Sequence, residues 1–105
     1  MKDKPPPERR KFADAWDEIV YLYDKLLYWL YQREDVRKAR SFAERLAKLL
    51  PKADPEQESI LGEECRSLIH EANGNLSKAI EHREKEIGLI RRLHEISRDE
   101  PQKQD

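Results

Sequence analysis

The sequence predicts an all-α protein of four helices paired as two antiparallel hairpins. Three observations carry that prediction. Apolar residues recur at helical spacing in four separate stretches, each bounded by capping or breaking residues. Neither an alternating run nor a hairpin dipeptide between apolar segments occurs. About as many residues are charged (41%) as apolar (37%), a balance that suits helices with long solvated faces and a lean, striped core.

The first helix, expected over residues 8–33, is the stretch around which any core must form, since it holds both tryptophans and all four tyrosines. Phe12, Trp16, Ile19, Tyr23, Leu26 and Leu30 fall on one helical line. Val20, Leu27 and Tyr31 widen that line on one shoulder, and Ala15, Leu22 and Trp29 on the other. The resulting arc is roughly twice the ~100° of an ordinary surface helix, so this helix wants neighbours on two sides. Pro7 suits its first turn, and residues 1–7 read as a solvated tail.

Glu34-Asp35 marks a break, with Asp35 placed to cap a second helix over residues 35–50. Its stripe is Val36, Ala39, Phe42, Ala43, Leu46, Leu49 and Leu50, and Pro51 is expected to stop it. Asp54-Pro55-Glu56-Gln57 has the pattern of a helix start, a capping aspartate followed by proline at the first position. The third helix is therefore expected over residues 55–73, with Leu61, Cys65, Leu68, Ile69 and Ala72 buried. Asn73-Gly74 should end it, the glycine taking a left-handed conformation. Asn75 then caps a fourth helix over residues 75–97, whose expected core stripe is Leu76, Ala79, Ile80, Ile87 and Ile90. Leu89, Leu93 and Ile96 form a second, displaced line, and residues 98–105 read as a frayed tail.

The two halves repeat faintly. Glu34-Asp35-Val36-Arg37-Lys38-Ala39 aligns with Gly74-Asn75-Leu76-Ser77-Lys78-Ala79 at a shift of 40 residues. On these residues the sequence resembles tetratricopeptide-type repeats: Gly74 closes the turn, Ala79 and Ala39 are the small residues that let paired helices approach, and Pro51 sits at the closing-proline position. The resemblance implies a right-handed stack of two hairpins that displays a surface for protein segments. Short joints and striped helices also fit a closed four-helix bundle.

Little in the chain points to catalysis, a cofactor or a small-molecule substrate. A carboxylate-bridged bundle site needs Glu three residues before His, and His70, His82 and His94 follow Ser67, Ala79 and Arg91 instead. His82 and Glu86 share a face but are only two ligands. Cys65, the single cysteine, lies on a buried stripe and allows no intrachain disulfide. The glycines are isolated, so no phosphate loop forms. Ile19 to Tyr31 is broken by Asp24-Lys25 and is too short to span a bilayer. Met1 to Pro7 lacks an apolar region behind its basic residues. A cytoplasmic location is the resulting expectation.

The expectation for function is a non-catalytic scaffold or adaptor that binds a protein partner or its own copy, with a homodimer supplying the neighbours that two repeats lack. Tyr21 and Tyr28 stand opposite the main stripe of the first helix, and Leu22 and Trp29 on its shoulder. With Leu89, Leu93 and Ile96 they are the candidate partner-binding residues, because exposed aromatic and aliphatic groups dominate interfaces. The runner-up is a nucleic-acid-associated regulator using Arg37, Lys38, Arg40, Arg45 and Lys48 on the second helix, with Arg9-Arg10-Lys11. A formal charge of -1 gives that reading no bulk support.

Overall fold

The structure, a computed structural model, describes residues 11–99, with side chains through Ser97. It is all-helical, with no strand among the described residues: α1 (Ala15–Leu27), α2 (Val36–Ala53), α3 (Ile60–Ala72) and α4 (Leu76–Asp99), and a π-helical turn (Tyr28–Gln32) prolonging α1. No described helix is long and apolar enough to cross a membrane. The terminal tails at 1–7 and 100–105, Pro7, Arg9 and Arg10 lie outside the described residues.

Helix α1 begins later than the apolar pattern suggests. Asp14, in extended conformation, accepts a hydrogen bond from the Asp17 amide at 2.9 Å, and the Asp17 carboxylate accepts one from the Ala13 amide at 3.0 Å. This reciprocal cap satisfies orphan donors and fixes the start. Phe12 therefore precedes the helix, and its ring packs on Tyr21 with centroids 5.3 Å apart. At the other end the Arg33 amide reaches back five residues to the Tyr28 carbonyl (3.0 Å) and Glu34 turns left-handed at φ 53°. That closes the helix where Glu34-Asp35 indicates, and Asp35 caps α2 by accepting from the Lys38 amide at 3.2 Å.

Pro51 does not stop α2, which runs on to Ala53. The final turn is held from outside: the Asp54 amide donates to the Leu50 carbonyl at 2.7 Å, and the Asp54 carboxylate is pinned 3.0 Å from Arg66 of α3. Asp54 is consequently the end of α2 rather than the cap of α3. Its side chain accepts from the Glu58 and Ser59 amides, Gln57 turns left-handed at φ 57°, and Ser59 caps α3 by accepting from the Gly62 amide at 3.0 Å. The tie is close enough that a Cβ at Gly62 would collide with the Asp54 carboxylate. Gly74 behaves as expected, ending α3 at φ 78° while the Asn75 amide donates to the His70 carbonyl at 2.8 Å. Asn75 caps α4, which continues to Asp99, past the expected boundary.

The helices pack in chain order, α1 on α2, α2 on α3 and α3 on α4. Tyr31 Oη donates to Glu71 at 2.6 Å and Tyr23 Oη to Glu64, so α1 and α3 lie parallel. The core is Ile19, Leu22 and Leu26 from α1, Ala39, Ala43, Leu46 and Leu50 from α2, and Cys65, Leu68, Ile69 and Ala72 from α3. Trp16, Tyr23, Phe42 and Leu49 border it, while Val36, expected on the α2 stripe, is exposed. Among the described side chains of α4 only Ala79 is buried.

Candidate interaction surface

Helix α3 is buried on two faces of opposite character. Its apolar side, Leu61, Cys65, Leu68, Ile69 and Ala72, meets the α1–α2 hairpin. Its other side carries Glu63 and Ser67, both buried, and His70. A helix covering that side must satisfy polar groups, because an unpaired buried carboxylate is costly. Helix α4 does so through His82 Nδ1, 2.6 Å from Glu63 Oε1, and through the Ala79 carbonyl, which accepts from Ser67 Oγ at 2.7 Å. Arg66 completes the cluster, 3.0 Å from Glu63 Oε2 and 3.0 Å from Asp54 Oδ2, and the His70 and His82 rings stack at 5.4 Å. Burial, then the neighbouring His82 and Lys78 charges, lowers the His70 pKa.

Docking on these groups sets the rotation of α4. The face turned to α3 is Ala79, His82, Glu86 and Leu89, and the line Leu76, Ile80, Ile87 and Ile90 is turned away. The sequence assigns that line to the core, and the structure reverses the assignment: with Leu93 and Ile96 these side chains are 42 to 60% exposed. Length adds to the exposure. With 13 residues in α3 and 24 in α4, the two helices span roughly 20 and 36 Å at ~1.5 Å per residue, so much of α4 has no α3 beside it. Leu89, Leu93, Ile96 and Arg92 line a shallow groove with Glu58 and Ile60, and Leu76, Ile80 and Arg83 line another with Ser67 and Glu71.

The sequence-derived candidates divide accordingly. Leu22 is 0% exposed and belongs to the core, clustered with the buried residues of α2 and α3, whereas Val20 and Tyr31 on the opposite shoulder of α1 are exposed; Leu22 presents no surface. Tyr21 is half-buried, with Lys25 Nζ 5.5 Å from its ring centroid, and Trp29 packs against the core beneath Lys38 Nζ at 4.5 Å. Tyr28 is exposed, edge-on to Trp29 at 5.0 Å. Leu93 and Ile96 are exposed and Leu89 is half-buried beside them. Leu76, Ile80, Ile87 and Ile90 are the surface residues that sequence reasoning missed. The available signal was the polar back of α3, Glu63, Ser67 and His70, which an apolar stripe cannot cover.

Three of the five basic residues expected on one side of α2 are engaged within the chain. Arg40 Nε donates to the Ala72 carbonyl at 2.8 Å, Lys38 covers Trp29, and Arg45 lies 3.7 Å from Glu18. Among the described residues no group of three or more His, Cys, Asp or Glu side chains is placed to hold a metal ion. Burial pushes the Cys65 thiol up to about 12, so it is protonated at neutral pH.

Glu86 is the discordant group at this contact. Its Oε1 is buried without a hydrogen-bond partner, and burial, then Glu64 and Glu63 nearby, raises its carboxyl pKa. A raised folded-state pKa means that ionising Glu86 costs stability as pH rises through that value, and that the cost vanishes below the unfolded value. Glu86→Gln is therefore expected to raise the melting temperature at pH 7, with a smaller gain at pH 4. An equal gain at both pH values would contradict this assignment.

Comparison with protein-family models, curated proteins and solved structures finds no match to the chain.

Proposed function

We propose that the chain is a non-catalytic protein–protein interaction module whose docking surface is the exposed apolar face of α4. The observation that carries the reading is the rotation of that helix: Leu76, Ile80, Ile87 and Ile90 share one face, interrupted by Arg83, and all are substantially exposed. Exposed aliphatic patches of this kind mark sites of association. The basic face of α2 supports the nucleic-acid alternative less well, since Lys38, Arg40 and Arg45 are held in contacts of their own.

The test is the double variant Ile80→Glu/Ile87→Glu. Exposed substitutions away from special features change stability by within about 0.5 kcal/mol, so the variant should melt as the parent chain does. Light scattering and affinity capture should show its association, with its own copies or with other proteins, reduced at least tenfold. Association unchanged from the parent chain would remove the basis of the proposal.

A further inference from the structure

We propose that the seat of α4 is a proton-sensitive latch: the stacked rings of His70 and His82 hold the helix on α3 with at most one positive charge between them, and a second proton drives the rings apart and loosens α4. The two imidazoles, one on each helix, lie within 6° of parallel with centroids 5.4 Å apart. The cavity they border, about 190 Å³, is otherwise lined by Arg66 and by apolar groups, among them Ala47, Leu50 and Pro51 of α2. No carboxylate lines it.

The charges around the pair decide how many protons it can hold. Asp54, Glu63 and Arg66, joined by two contacts of 3.0 Å and no more than 12% exposed, carry one net negative charge. A proton on His82, whose Nδ1 lies 2.6 Å from Glu63 Oε1, cancels that charge. A further proton on His70 is a surplus, set face to face with His82 and beside Arg66 in a contact largely withdrawn from water, where like charges repel more strongly than in solution. Lys78 and Glu81, the other charged groups of α4 that act on His70, oppose each other.

Burial, then the charges of His82 and Lys78, accordingly hold the His70 pKa below its ordinary value. The unfolded chain therefore takes up this proton first, and stability is lost as pH falls through the ordinary histidine range. Glu86, one turn along α4 from His82, works in the opposite direction, since its raised carboxyl pKa relieves a cost as pH falls.

The test uses the full chain with the single variants His70→Gln and His82→Gln, since glutamine keeps a hydrogen-bond donor and removes the titrating charge. NMR titration of the imidazole carbons should show His70 taking up its proton at higher pH in His82→Gln than in the parent chain, because the facing charge is gone. Amide exchange along α4, divided by the rate of an unstructured peptide, gives its opening constant. That constant should rise several-fold between about pH 7.5 and 5.5 in the parent chain, the range in which histidine ionises, and stay level in His70→Gln. A His70 titration unmoved by His82→Gln would mean that burial alone sets it. A parent chain whose α4 opens no more in acid, or a rise retained in His70→Gln, would show that the stacked pair does not govern the seat. Any of these results overturns the latch, and because the two readouts use different variants, one still decides if the other variant fails to fold.

Discussion

Leu22→Ala is expected to lower stability by about 3 kcal/mol, the middle of the range for truncating a fully buried leucine. In a chain of this size that is a fall in melting temperature of roughly 12–20 °C. Leu22 has no exposed surface and sits among Ile19, Leu26 and the alanines and leucines of α2, none of which can readily collapse into the space left. Leu93→Ala, by contrast, removes a side chain that is more than half exposed and should move the melting temperature by no more than about 3 °C. Thermal unfolding followed by circular dichroism separates the two. If Leu22→Ala melted with the parent chain, Leu22 would be a surface residue and the packing of α1 against α2 and α3 would be wrong.

The second large effect is expected at Glu63. This carboxylate is fully buried and holds two partners, Arg66 and His82, which belong to different helices. Glu63→Ala should cost about 3 kcal/mol, because removing one member of a buried ionic group leaves the other desolvated and unpaired. The loss stays near the lower end of the range, since Arg66 keeps Asp54 Oδ2 at 3.0 Å and the Asp54 carbonyl at 3.2 Å. Glu63→Gln retains an acceptor for Arg66 and gains a donor for the imidazole, so it should cost only about 1 kcal/mol. Equal losses for the two substitutions in denaturant titrations would mean that packing volume, rather than polar pairing, holds this contact.

Local chemistry made much of the architecture legible. Asp35, Asn75 and Gly74 act within a few residues of themselves, and the structure uses all three as the sequence indicates. The stripe of α2 was readable because one face of that helix is apolar and the other charged. Legibility failed where the deciding partner is distant in the chain. Asp54-Pro55-Glu56-Gln57 has every mark of a helix start, but Arg66, twelve residues on, claims the Asp54 carboxylate and delays α3 to Ile60. The stripe of α4 looked like core because aliphatic spacing says only that a face wants covering. What faces α4 is the polar back of α3, and of that stripe it keeps Ala79 alone, joined by His82 and Glu86. Leu22 was misplaced for the converse reason: α1 has more apolar arc than one neighbour needs, and spacing does not say which shoulder is covered; Leu22 is buried, while Val20 and Tyr31 are exposed.

The polar seating of α4 also shapes how the molecule comes apart. The α1–α2–α3 unit holds eleven of the buried core residues, whereas α4 contributes Ala79 alone. The polar ties that hold it to α3 are the Glu63–His82 and Ser67–Ala79 contacts. With so little of its surface buried, α4 is expected to open at lower free energy than the three-helix remainder. Amide hydrogen exchange should accordingly run faster along α4 than in the buried parts of α1, α2 and α3.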